Sequence, residues 1–158
     1  MRQPLLTTLA AACALALPLA AQSKTVTIAT TLKNYGGDGA YLAVYLTDAK
    51  GAYARTLWVA GGKAKYYKHL ADWSRLSAAD ARRLDGVTGA SVGQGRTLKV
   101  TAELADALID AGYEIRIDAA VEDMRDSPGE VRIPLSSASA GKQQAGRQYI
   151  QSASFQLQ

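Results

Sequence analysis

Residues 85–91 read Asp-Gly-Val-Thr-Gly-Ala-Ser, the one run in this 158-residue chain whose composition looks chemical rather than structural. Ser91 offers a hydroxyl to which a group could be attached. Gly89 and Ala90 leave space beside it, because a larger side chain would crowd an incoming group. Asp85 and Thr88 could be recognition contacts, or could fix the bend through hydrogen bonds to the local backbone. A plainer alternative stays open: the same seven residues would serve as a turn that leaves a helix and enters a strand. Short motifs often mean no more than that.

Other residues with chemical potential are sparse. His69 is the only histidine, so a metal site would lack clustered partners, and the residue reads as a solvated helix position. Trp58, Tyr66 and Trp73 could form a shelf for a planar ring, but packing of a helix onto a sheet is the commoner use of such residues. Tyr67 falls off their shared face and is expected at the surface. Lys63, Lys65 and Lys68 could meet a phosphate or an acidic partner, or simply form a solvated face. Asp106, Asp110, Asp118, Asp123 and Asp126 do not have calcium-loop spacing. No nucleophile, base and acid form a readable set, and nothing points to a paired-carboxylate hydrolase.

These residues sit in a chain built for export. Arg2 precedes an apolar run from residue 5 to about 21, and Gln22-Ser23-Lys24 is polar again. This is the layout of a signal peptide, expected over residues 1–21 with cleavage after Ala21, leaving one domain over 22–158. The apolar run is too short for a comfortable membrane span. The only cysteine, Cys13, lies within it, and the apolar run continues past it, which argues against lipidation. The mature chain therefore has no thiol for disulfides, thiolate metal sites or nucleophilic catalysis. Loss of Arg2 leaves 17 basic against 14 acidic side chains, a net +3 that is not a nucleic-acid signature. The expected location is the periplasm, or otherwise outside the cytoplasm, with no direct membrane insertion once the leader is gone.

The elements that must position the motif follow from periodicity. Residues 24–32 alternate apolar and Thr positions, as a half-buried strand does. Residues 40–47 are apolar on both faces, which suits a central strand. A turn at 48–51 leads into a strand over 53–59. Between 63 and 73 the spacing of Tyr66, Leu70 and Trp73 places them on one helical face. Ser77-Ala78-Ala79-Asp80 reads as the start of a second short helix, with Arg82 and Arg83 in its last turn. Strands are expected at 96–101, 113–121, 131–135 and 148–157, with Pro134 suggesting an edge. Residues 102–111 fit either a helix or a loop and turn equally well, and only the family resemblance given below favours the loop. In the strand at 113–121, Tyr113, Ile115, Ile117, Ala119 and Val121 should face inward, and Glu114, Arg116, Asp118 and Glu122 outward. Residues 126–129 read as a turn, and 136–146 as a mobile loop. The sum is an all-β, immunoglobulin-like β-sandwich with a short helical insertion.

Asp85–Ser91 resembles the acceptor motif of bacterial flavin transferases, Asp-Gly-x-Thr/Ser-Gly-Ala-Thr/Ser. There the final hydroxyl carries FMN through a phosphoester, which makes Ser91 the implied acceptor and Asp85, Thr88, Gly89 and Ala90 its recognition context. Serine replaces the usual threonine. Further features resemble a family of predicted periplasmic proteins of unassigned function. They are Arg55-Thr56-Leu57-Trp58-Val59, Asp72-Trp73, the strand around Tyr113-Glu114-Ile115-Arg116-Ile117, and Ile133-Pro134-Leu135. Members of that family are often found beside PepSY-type membrane reductases and flavin transferases. The resemblance implies an exported electron-transfer protein carrying covalent FMN, a redox carrier rather than a turnover enzyme. Its implied partners are the transferase and a PepSY-type reductase. The alternative is a periplasmic accessory or binding module without a redox cofactor.

Overall fold

A computed structural model describes residues 21–158. The leader expected at 1–21, apart from its last residue, and Cys13 lie outside the described residues. Alternating apolar residues build two layers. The smaller sheet contains β1 (Ser23–Leu32), β5 (Thr97–Ala105) and β8 (Ile150–Leu157), in the order β5-β1-β8. The larger contains β2 (Tyr41–Thr47), β3 (Tyr53–Ala60), β4 (Thr88–Gly89), β6 (Glu114–Ala120) and β7 (Ser127–Pro134), in the order β4-β3-β2-β6-β7. All pairings are antiparallel except β3 with β4. The protein is thus an all-β sandwich, immunoglobulin-like in architecture, and β7 with Pro134 lies at an edge as expected.

The core fills the space between the sheets. Val26, Ile28 and Leu32 of β1 and Phe155 of β8 meet Leu42, Val44 and Leu46 of β2 and Ile115 and Ile117 of β6. A second cluster lies on the outer face of the larger sheet, where Ala43, Tyr45 and Val59 pack under Leu70 and Trp73. This explains why β2 is apolar on both faces: one faces the sandwich core and the other is roofed by the insertion.

That insertion consists of a 3-10 helix (Ala64–His69) and α1 (Ala71–Leu76). It differs from the sequence-based expectation in two respects. First, residues 64–69 wind with about three residues per turn, so a four-residue spacing does not keep Tyr66 on the face of Leu70. Trp73 and Leu70 are fully buried, but Tyr66 is only half-buried, and Tyr67 is the ring that packs into the second cluster. Trp58 is likewise half-buried. Second, Ser77 ends α1 instead of starting another helix; its N–H bonds to Trp73 O at 2.9 Å, and the chain continues in turns. Asp80 is already engaged by Tyr53 Oη at 2.9 Å and by the Arg82 N–H at 3.0 Å.

Asp118 is the main correction. It was expected outside, yet it is fully buried, because the outer face of β6 is covered by the insertion. Its Oδ2 accepts the Trp73 N–H at 2.8 Å. Its Oδ1 accepts the Gly129 N–H at 2.7 Å and the Tyr45 hydroxyl at 3.1 Å. Leu70 at the N-cap of α1 has no capping side chain, so a carboxylate from the sheet satisfies a first-turn N–H instead. Gly129 reaches Asp118 because the β6–β7 register shifts between Ile117 and Ala119.

The turn expected at 126–129 lies earlier, at 122–124, where Asp123 takes a positive φ of 58°. Ser127 and Pro128 already belong to edge strand β7, where the missing N–H of Pro128 is tolerated. β5 extends to Ala105, so residues 102–105 are strand, and a 3-10 helix at Asp106–Leu108 followed by a turn leads into β6. Residues 136–146 fold back on β8, with Gln144 and Ala153 exchanging N–H···O bonds of 2.8 Å. Buried Glu130 ties down the start of β8: its Oε1 accepts the backbone N–H groups of Gln148, Tyr149 and Ile150 at 2.5–2.9 Å.

Candidate functional site

The motif lies where the chain leaves the larger sheet for the smaller one. Gly86 has a φ of 68°, which needs glycine, and it turns the chain into β4. β4 is fixed by Val59 N–H to Val87 O and Gly61 N–H to Gly89 O, both at 2.7 Å. Three residues later, Val92 and Ala40 form a two-way bridge, with N–H···O bonds of 2.9 and 2.7 Å. Ala90 and Ser91 span the gap between these anchors. Both are exposed. Ser91 is therefore reachable by solvent and yet fixed in place by backbone bonds on either side.

Two glycines explain how the hydroxyl has room. A Cβ on Gly39 would lie 2.9 Å from Ser91 Oγ, so a bare backbone is what stands beside the hydroxyl. A Cβ on Gly89 would lie 2.7 Å from Trp58 Cζ2. Gly89 is thus required for packing on the indole, whatever a modifying enzyme would also need.

Ser91 lines a cavity of about 670 Å³, within the range of small-molecule sites. Of the five residues implied by the motif, it is the only one in the lining. Asp85 is exposed and faces Arg82, its Oδ2 3.4 Å from Nε, and Thr88 is an exposed residue of β4. One wall of the cavity is aromatic. Tyr41 and Tyr66 meet edge to face, with centroids 5.8 Å apart and an interplanar angle of 84°. Ala120, Val121 and Met124 add apolar surface to the lining. Met124, at 39% exposure, is the exposed large hydrophobic side chain among the described residues.

Charge is distributed unevenly around this cavity. Lys63 is the lysine in the lining, with its ammonium 5.9 Å from the Tyr66 centroid; Lys65 lies 4.9 Å from the same ring. Facing them are Asp38, Glu122, Asp123 and Asp126. Two of these carboxylates have partners: Glu122 Oε1 accepts the Tyr66 hydroxyl at 3.2 Å, and Asp126 sits 3.1 Å from His69 Nδ1. His69 is therefore a half-buried cavity residue paired with a carboxylate, rather than a freely solvated one. The roles of Tyr41, Met124 and the segment 122–126 were not readable from sequence, since they reach the cavity only through strand pairing. Gly39 carried a weak signal, as part of a glycine-dense loop.

Deeper groups shape the site indirectly. Burial pushes the Asp118 carboxyl above its usual range, although the Trp73 and Gly129 N–H groups and the Tyr45 hydroxyl pull it down. Burial also raises the Tyr67 phenol, whose hydroxyl bonds to Gly61 O at 2.8 Å and fixes the insertion beside the cavity. No group of three or more His, Cys, Asp or Glu side chains among the described residues is placed to hold a metal.

Residues 23–152 match the family described as predicted periplasmic protein (DUF2271). The chain belongs to this family. Comparison with curated proteins and with solved structures finds no match. The family's description agrees with an extracytoplasmic location. No helix among the described residues is long and apolar enough to cross a membrane.

Proposed function

We propose that this family member is a periplasmic electron-transfer protein that carries FMN covalently on Ser91. The observation supporting this most strongly is an exposed Ser91, held between two backbone anchors and lining a cavity of about 670 Å³. In the attachment step a flavin transferase grips the 85–91 loop. The Ser91 Oγ–phosphorus bond forms as the pyrophosphate bond of a flavin adenine dinucleotide breaks. Adenylate leaves with the electron pair, and the Ser91 proton passes to solvent. The lining offers such a group one hydroxyl, one lysine and two tyrosines, and sets four carboxylates against its phosphate. FMN supplies the redox chemistry, taking electrons from a PepSY-type membrane reductase and releasing them to an extracytoplasmic acceptor. The protein supplies the attachment point and the surroundings.

The test is intact mass after co-production with a flavin transferase. The mature chain should gain the mass of an FMN phosphoester, and Ser91→Ala should remain at the unmodified mass. A colourless, unmodified wild-type protein from a host proven to flavinylate another acceptor refutes the assignment.

The four carboxylates of the cavity favour a second reading, because they oppose an anionic ligand. On that reading the protein is an unflavinylated accessory module whose cavity or helical insertion meets a basic partner. The unmodified mass and lack of colour are its expected outcome.

A further inference from the structure

The cavity is acidic in a chain that is net positive. Asp38, Glu122, Asp123 and Asp126 stand in its lining against Lys63. These carboxylates do not gather around one point, because no group of three or more among the described residues is placed to hold a metal ion. They are spread around the space. Glu122 is engaged by the Tyr66 hydroxyl and Asp126 by His69. Asp38 and Asp123 have no ion-pair partner among the described residues. The lysines nearest the cavity do not compensate them. Lys65 and Lys63 rest over the Tyr66 ring, at 4.9 and 5.9 Å from its centroid.

Both uncompensated carboxylates are carried on fixed backbone. The Tyr35 hydroxyl donates to Asp38 O at 2.6 Å. Asp123 takes its positive φ in a turn closed by the Met124 N–H to Val121 O at 3.1 Å. The two segments meet at Gly37, where a Cβ would stand 2.8 Å from Met124 Sδ and 3.3 Å from Val121 Cγ1. Two negative charges are thus held on adjoining segments, beside the apolar surface of Val121 and Met124. The right-angled pair of Tyr41 and Tyr66 leaves no slot for a flat ring.

We propose that this cavity binds a linear aliphatic diamine or polyamine. This rests on the reading of the cavity as a site for a basic ligand, and gives that ligand a chemical class. Separated carboxylates call for separated positive charges, and the apolar surface beside them calls for methylenes linking those charges. Ammonium groups meet Asp38 and Asp123, and the spacer lies on Val121 and Met124. A cavity of about 670 Å³ has room for such a chain.

The experiment uses unmodified mature protein, verified by intact mass, at low ionic strength. Calorimetry and amide chemical shifts follow titration with diaminobutane, spermidine, butylamine, butanediol and magnesium chloride. Diaminobutane should bind about fivefold more tightly than butylamine, the factor that a second exposed ion pair supplies, and spermidine more tightly again. Butanediol should not bind, and magnesium at equal ionic strength should not displace the diamine. Shifts should centre on residues 38–39 and 120–126. Asp38→Asn and Asp123→Asn should each weaken diaminobutane binding about two- to fivefold; asparagine tolerates the positive φ at 123. Asp106→Asn removes the same charge outside the cavity and should leave binding unchanged.

Equal affinity for butylamine and diaminobutane overturns the diamine site. So does displacement by magnesium, indifference to both cavity substitutions, or an absence of shifts at 38–39 and 120–126. None of these results alters the mass of the protein co-produced with a transferase, which separately decides whether Ser91 is an acceptor.

Discussion

The insertion that carries Lys63, Tyr66 and His69 to the cavity has little helix of its own to stabilise it. α1 has six residues, well below the length at which an isolated helix holds in water. Its position depends on burying Trp73 and Leu70 and on Asp118, so Asp118→Ala is the informative perturbation. The substitution leaves three donors without their acceptor: the buried Trp73 N–H and Tyr45 hydroxyl and the half-buried Gly129 N–H. Each orphaned donor costs about 1–3 kcal/mol, and loss of a helix cap alone costs about 1 kcal/mol. Removing a carboxylate that burial disfavours returns part of this. The expected net loss is about 2–4 kcal/mol, a large share of the roughly 5–15 kcal/mol available to a domain. Asp118→Asn should lose about 1–2 kcal/mol, because its amide must turn an N–H toward one of the donors whichever way it is placed. Urea unfolding gives the total, and hydrogen exchange gives the location. Protection should fall first in residues 64–76, ahead of β2 and β6. A loss below about 1 kcal/mol, with exchange in α1 unchanged relative to β2, would refute the claim that this carboxylate holds the insertion in place.

The same residue carries a pH signature, and Gly61 tests the wall it supports. Burial raises the folded Asp118 pKa, with nearby Asp72 adding in the same direction and Tyr45 opposing through its hydrogen bond. A raised folded pKa means that the contribution is complete below the ordinary carboxylate range and is lost as pH rises through the raised value. The stability advantage of wild type over Asp118→Asn should therefore shrink as pH rises above the ordinary carboxylate range, read from urea midpoints; an advantage that grows with pH contradicts it. Gly61 has a φ of 146°, and a Cβ there would overlap the Tyr41 ring. Gly61→Ala should cost about 2–4 kcal/mol from backbone strain and overpacking. It should also alter the tyrosine near-ultraviolet dichroism, and an unchanged melting temperature would show that Tyr41 moves aside freely.

The sandwich was legible because its signals are local. Val26, Ile28 and Leu32 alternate with threonines, and threonine on an outward sheet face contradicts nothing. β2 could be placed centrally because both its faces are apolar. The misreading at Asp118 has a clear physical cause. Each side of β6 was assigned by assuming that the face opposite the core is wet, and the insertion makes that assumption false. A buried acid between alternating apolar residues looks the same in sequence as a solvated one, since its partners Tyr45, Trp73 and Gly129 are 73, 45 and 11 residues away. The helical spacing failed for another reason: periodicity distinguishes a helix from a strand but not an α-helix from a 3-10 helix over a single turn.

The motif itself was found by its chemistry, but its exposure comes from topology. β4 is the last strand laid on the larger sheet before β5 enters the smaller one. The chain between Gly89 and Thr97 must therefore cross the open end of the sandwich, where no strand can cover it. Ser91 lies on this crossing and is exposed, while Val92 beside it turns into the core. What topology does not require is the fixing on both sides, by Gly61 to Gly89 before it and by Ala40 to Val92 after it. A connection needed only to change sheets could be loose. One whose ends are bonded to two different strands holds its central hydroxyl in a set position relative to the cavity. The proposal of Ser91 as an acceptor needs such fixing, and an ordinary turn does not.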